Sequence, residues 1–170
     1  MLANEKRRLG IDATFNINMA SPYDYDAPVW ATCDLVEELD VDEAWNTASG
    51  NSRGMPIEAS AKTRGQCSAT GRILTRDTDP VYQKLLAAFR SRDAEVDVMI
   101  LSGPIDSDGA TGPRGKFQVH RFKPTLGPND VIYREFTLLP AIVTDAEPFV
   151  TATVVGGVLT YEQQFLPTDP

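Results

Sequence analysis

The stretch Gln66-Cys-Ser-Ala-Thr-Gly-Arg-Ile-Leu-Thr-Arg-Asp-Thr-Asp-Pro-Val-Tyr-Gln-Lys-Leu-Leu-Ala-Ala-Phe-Arg-Ser-Arg-Asp-Ala-Glu-Val-Asp-Val-Met-Ile-Leu101 reads strand, capped helix, strand. Thr78-Asp79-Pro80 supplies an N-cap and a proline at the first helical position, where its missing N–H costs nothing. Val81, Tyr82, Leu85, Leu86 and Phe89 then line one face of a helix of about three turns. Arg90 and Arg92 fall in its last turn, where cations complement the negative end of the helix dipole, so the helix is expected over about 79–92. The following Glu95-Val-Asp-Val-Met-Ile-Leu101 begins by alternating and ends as an apolar run. It predicts a strand passing from a half-exposed to a buried environment.

Outward from that segment the chain reads as β. In residues 11–19 the apolar side chains hold the odd positions, and Asp12, Thr14, Asn16 and Asn18 the even ones, which predicts a strand with one dry and one wet face. Residues 29–39 and 56–63 are weaker strands, and the composition between them predicts a long, mobile loop over 40–55. Residues 116–123 and 131–139 flank Pro124-Thr-Leu-Gly-Pro-Asn-Asp130 and predict a hairpin with a turn longer than two residues. Residues 149–155 and 158–165, separated by Gly156-Gly157, predict a further hairpin or an arm reaching a neighbour.

The 170 residues, 42% hydrophobic and 24% charged, suit one domain with a real core. That core is expected over about 11–140, with the N-terminal residues and 141–170 as arms or peripheral strands. No apolar run approaches the roughly 20 residues that span a bilayer, and the N-terminus lacks an apolar signal region; the chain reads as cytosolic at synthesis. Cys33 and Cys67 are far apart in strand-like stretches and read as buried free thiols rather than a disulfide or a metal pair.

Net charge is −8, distributed unevenly. From Leu9 to Ser52 there is no Lys or Arg, against Asp12, Asp24, Asp26, Asp34, Glu37, Glu38, Asp40, Asp42 and Glu43. From Arg53 to Arg92 the balance reverses. Within one fold the two sets could neutralise each other; equally, opposite charges on opposite faces could fix head-to-tail contacts between copies. An acidic chain is a poor nucleic-acid binder, because phosphates demand an excess of Lys and Arg.

Signs of catalysis are few. His120, the only histidine, has no Ser, Cys or acid beside it in sequence to form a relay. Asp106-Ser-Asp108-Gly109 matches the start of a calcium loop, but an EF-hand needs Gly at position 6 and Glu at position 12, and here those are Thr111 and Phe117. The scattered Gly103, Gly109, Gly112 and Gly115 lack the strand-to-helix setting of a phosphate loop. The acid run Glu37 to Glu43 could serve acid/base chemistry on a carbohydrate, with few aromatic platforms to support it. The expectation is therefore no enzyme, no cofactor and no metal.

Several segments together carry a resemblance: Trp30-Ala-Thr-Cys-Asp-Leu-Val-Glu-Glu-Leu39, Asp42-Glu-Ala-Trp45, Ser49-Gly-Asn-Ser-Arg-Gly54, Ile57-Glu-Ala-Ser-Ala61, Ser68-Ala-Thr-Gly-Arg-Ile73, the helix from Pro80, Val96-Asp-Val-Met-Ile-Leu-Ser-Gly103, Gly115-Lys-Phe-Gln-Val-His-Arg-Phe122 and Ile132-Tyr-Arg-Glu-Phe-Thr-Leu138. In this order they resemble the tail tube proteins of tailed bacteriophages, over roughly residues 11–140. The resemblance implies a β-sandwich or barrel with one flanking helix and long loops. It further implies rings of six copies that stack into a tube conducting DNA, with the chain itself and other phage tail proteins as partners, in the virion tail. It places the loop over 40–55, with Asp40, Asp42, Glu43, Trp45, Asn46, Asn51 and Arg53, at subunit or ring interfaces; the charge distribution then predicts that Asp40, Asp42 and Glu43 contact a basic surface such as Arg72, Arg76, Arg90 or Arg92 of a neighbour. It places Glu37, Glu58, Asp130 and Glu135 toward the lumen, where carboxylates would repel DNA phosphates without binding them. A tail terminator, a head-tail connector or a capsid decoration protein of similar fold would share these features. Residues 21–28 and those after Pro140 have no counterpart in the resemblance.

Overall fold

Strand β5 (Val96–Leu101) is buried at all six positions. Successive strand side chains point to opposite faces, so the sheet is covered on both sides here, and the expected half-exposed start does not exist. Val96, Val98 and Ile100 enter the main core; Met99 and Leu101 enter a smaller one with Ala110, Ala152 and Val154. The computed structural model describes residues 13–50, 59–126, 131–141 and 147–163.

The other strands are β1 (Thr14–Asn18), β2 (Trp30–Thr32), β3 (Val36–Gly50), β4 (Ala59–Leu74), β6 (Thr111–Leu126), β7 (Ile132–Pro140), β8 (Val150–Val155) and β9 (Val158–Gln163). They form one antiparallel sheet in the order β2-β1-β5-β6-β7-β4-β3, with the β8–β9 hairpin joined to β6. The mainly-β class is as expected, with one helix among the described residues; the sheet is open, and no second stacked sheet is seen among them. β6 organises the molecule: its start pairs with β8 (Thr111↔Thr153) and its remainder with β7 (Leu126↔Ile132), while Arg114 to Phe117 pair with β5. Gly156 and Gly157 have φ of 59° and 77°, the left-handed pair that a two-residue hairpin turn requires.

Helix α1 (Pro80–Arg90) starts where its cap is written: the Asp79 carboxylate accepts a 2.8 Å hydrogen bond from the Tyr82 N–H. Val81, Tyr82, Leu85, Leu86 and Ala88 are buried, whereas Phe89 is half-exposed. The Tyr82 and Phe89 rings sit 5.7 and 6.0 Å from Phe122 of β6. Arg92 lies past the helix end rather than in its last turn.

Two expectations are corrected. Residues 40–50 are not loop: β3 continues to Gly50 and pairs with β4 as far as Gly50↔Ala59. Residues 51–58 lie outside the described residues, as do Pro56 to Glu58 of the predicted strand. The wet face of β1 is dry: Asn16 and Asn18 are 0% exposed. An amide can be buried when its donors and acceptors are met, and here they are. Asn16 donates to the Met99 carbonyl and accepts from the Thr32 hydroxyl; Asn18 donates to Asp97 and to the Asp24 carbonyl and accepts from the Ala20 and Val29 N–H groups.

Candidate assembly surfaces

On the face of β1, β5 and β6 away from the helix, Arg114 is 2% exposed and Asp97 3%. Arg114 and Asp97 lie diagonally across the β5–β6 pair, where side chains meet. The guanidinium donates to both carboxylate oxygens, Nε at 3.3 Å and Nη2 at 2.9 Å, and to the Tyr25 carbonyl at 2.6 Å. It lies 4.0 Å from the Tyr25 ring, 4.7 Å from Tyr161 and 5.0 Å from Trp30. Burial alone would push the Arg114 pKa down, and the Asp97 carboxylate more than offsets this, holding it above the ordinary value. Tyr25 donates to the Pro148 carbonyl at 2.7 Å, and burial raises the phenol pKa. Lys84 of α1 donates to the Asn18 carbonyl; Lys116 pairs with Glu147 and stands 4.8 Å above the Tyr23 ring. The acidic 21–28 segment is therefore strapped onto the sheet by Arg114, Asn18 and Lys116.

On the far side of the sheet, β3 carries the acids. A bulge between Glu37 and Asp40, with Glu38 at a φ of 53°, breaks the ladder; two residues then oppose one, and side chains are re-aimed. Glu37 and Glu38 both reach Arg72 of β4, at 3.3 and 2.8 Å, and Arg72 stacks 4.8 Å from the Tyr133 ring. Glu135 pairs with Arg121 at 3.4 Å. These groups border a shallow groove of about 300 Å³ over β4, β7 and β6, also lined by Thr125 and Leu126.

Asp40, Asp42 and Glu43 follow on β3 and are exposed. Trp45 and Asn46 continue the same strand. Arg76 is exposed in the turn before α1, and Arg90 and Arg92 are exposed at its far end. Asn51, Arg53, Glu58 and Asp130 lie outside the described residues. The structure thus joins Glu37 to Arg72 and Glu135 to Arg121 within one chain, and leaves Asp40, Asp42 and Glu43 exposed.

Beyond Asp42↔Ser68 the β3–β4 pair has no third strand among the described residues, since β7 meets β4 only from Ala69 to Leu74. The nine residues from Asp42 to Gly50 extend this ribbon by about 30 Å.

The chemistry-bearing residues stay apart. Among the described residues no group of three or more His, Cys, Asp or Glu could hold a metal. His120 is exposed on β6. The Asp108 carboxylate accepts from the Gly156 N–H at 2.8 Å, tying its loop to the β8–β9 turn. Burial pushes the Cys33 thiol up to about 11 and the Cys67 thiol up to about 12. No described helix is long and apolar enough to cross a membrane.

No family model and no curated protein matches the sequence; solved structures match the fold. The SPP1 tail tube aligns at a TM-score of 0.58 with 8% identity, over 76% of this chain and 73% of that one. The tail of the empty gene transfer agent particle, with C6 symmetry, aligns at 0.60 with 13% identity, over 90% and 97%. The six-fold symmetrised baseplate of the anti-feeding prophage aligns at 0.56 with 10% identity, over 86% and 95%. The chain has the tail-tube fold. Assembled tails and baseplates are what this fold builds in those particles.

Proposed function

We propose that the protein is a structural subunit of a virion tail, without enzymatic activity, that assembles into hexameric rings stacked as a tube through which DNA passes. The observation that carries this reading is the β3–β4 ribbon. A two-stranded ribbon is at best marginally stable alone, and a long exposed edge is a template for pairing with another chain. A ribbon of this length is accounted for when a second copy covers it. Asp40, Asp42 and Glu43 at its root would meet a basic surface of the neighbour, with Arg76, Arg90 and Arg92 as partners; Arg72 is already engaged by Glu37 and Glu38. Trp45, Asn46, Asn51 and Arg53 would extend the same contact. Glu37, Glu58, Asp130 and Glu135 would face the lumen and repel passing phosphates. The protein would be made in the bacterial cytoplasm as one domain and act in the virion tail beside other tail proteins.

Negative-stain electron microscopy and mass photometry across concentration and salt test this. Tubes with a central channel are expected. Closed rings that never stack would move the assignment to a terminator, connector or decoration protein, and a persistent monomer would overturn the assembly reading.

A further inference from the structure

Two hairpins lie at opposite ends of β6, the β6–β7 hairpin at its C-terminal end and the β8–β9 hairpin paired beside its start, and each carries an aliphatic cross-strand pair in water. At the C-terminal end Leu126 faces Ile132, 77% and 48% exposed; at the N-terminal end Val155 faces Val158, 58% and 63% exposed. β6 pairs Thr111 with Thr153, so Val155 lies beyond the first residue of the strand. The 16 residues of β6 hold the two pairs about 50 Å apart along its length. Single exposed aliphatics need no explanation; two matched pairs at the two ends of one strand are placed so that translation along that strand brings one onto the other.

The surroundings differ as partners should. The Val155/Val158 tip is narrow: its Gly156 and Gly157 have nothing within 4 Å of where a Cβ would sit. Beside it are the exposed acids Asp106 and Asp108, the latter bonded to the turn itself. The Leu126/Ile132 end adjoins the shallow groove lined by Leu126, Tyr133, Arg121 and Glu135; Lys123 of β6 and Arg121, the latter paired with Glu135, are exposed beside it. A slim acidic-flanked apolar tip thus has as its complement an exposed apolar pair beside two cations, Arg121 and Lys123, and one acid, Glu135. A contact between unlike patches on identical chains is head-to-tail, and repeats until something stops it.

We infer that the β8–β9 turn of one copy docks on the Leu126/Ile132 end of the next, forming the joint that propagates the assembly along β6. The inference rests on the tail-subunit reading and adds the contact by which copies follow one another. Aliphatic packing supplies the attraction, and Asp106 and Asp108 against Lys123, with Arg121 shared with Glu135, set the direction.

The test uses the full chain with two separate variants, Val158→Asp and Leu126→Asp. Both positions are exposed, so circular dichroism and the urea midpoint should match the parent. Each variant alone should need at least tenfold more protein to form the parent assembly, because one of its two ends is dead. Mixed in equal amounts, they retain one good contact, the intact β8–β9 turn of the Leu126→Asp chain on the intact Leu126/Ile132 end of the Val158→Asp chain. Mass photometry should then show a unit of twice the mass of either variant alone, with no longer species. Parent-like tubes from both single variants would overturn the docking while leaving the tail assignment standing. Two other outcomes would also sink it: a mixture that fails to double, or doubling by Leu126→Asp alone, which would mean tip meets tip. A parent protein that never assembles would remove both readings together.

Discussion

Asp97 and Arg114 show what a sequence conceals. Asp97 alternates with valines, as a residue on a wet strand face would, and Arg114 sits in a Gly/Pro-rich run that reads as surface. Neither has a local signal, because the partner lies across the ladder and the lid comes from residues 21–30. The same holds for Asn16 and Asn18, whose burial depends on carbonyls and amides distant in sequence. Removing one member of a buried pair leaves an uncompensated charge in a dry site, which costs about 3–5 kcal/mol. Arg114→Ala is therefore expected to lose stability of that order in urea unfolding and to expose residues 21–28 to protease. Arg114→Met combined with Asp97→Leu should lose clearly less, since no orphan charge remains; equal losses would show that aromatic packing rather than the ion pair is at stake. The buried thiols give a pH signature. Their folded pKa values, about 11 for Cys33 and about 12 for Cys67, lie above the ordinary 9.0. Above pH 9 the unfolded chain loses thiol protons that the folded chain keeps, so this stability is complete below pH 9 and is lost as pH rises through 11 to 12. Cys67→Ala should flatten that decline, and a thiol reagent at pH 8 should label the native protein only as fast as it opens.

At the scale of elements, the most legible pieces were those whose signals are local. The helix is announced by Asp79-Pro80 and its apolar face, and the last hairpin by Gly156-Gly157. The β3–β4 ribbon was hidden by Asn46-Thr-Ala-Ser-Gly50, whose composition favours turns; pairing with β4 overrides that preference. Strand propensity reflects the surface a side chain packs on more than the backbone. The cap yields a plain expectation: Asp79→Ala should cost about 1 kcal/mol, read as a shift in the urea midpoint with an unchanged slope. At Gly112 a Cβ would stand 1.8 Å from the Ile100 carbonyl oxygen, and backbone cannot swing aside as a side chain can. Gly112→Ala should thus cost about 3 kcal/mol or more by overpacking and part β6 from β5. Hydrogen exchange would report it as lost protection where the end of β5 meets the start of β6, before any loss in α1.

For the whole molecule the question is which charges act between copies and which within one. Arg72 with Glu37 and Glu38, and Arg121 with Glu135, are partly exposed pairs inside the chain, worth about 0–1 kcal/mol each. They hold the groove in shape. Asp42 and Glu43 are exposed at the root of a ribbon that no described residue flanks on its outer side; a carboxylate pair in that position gains most when another copy presents cations. Reversing both in Asp42→Lys/Glu43→Lys should leave the monomer's stability within about 0.5 kcal/mol, as surface changes do, while assembly at low salt falls at least tenfold. Screening sharpens the test, because at 0.1 M salt charges about 10 Å apart are already largely hidden from each other. If the carboxylates steer or hold the contact, parent assembly weakens between 0.05 and 0.5 M salt, on the order of a tenfold change. The reversed variant should instead improve over that range, as its misplaced lysines are screened from the arginines of the neighbour. Light scattering across a salt series reads both slopes, and parallel curves for parent and variant would place Asp42 and Glu43 on a free surface and move the ring contact elsewhere on the ribbon.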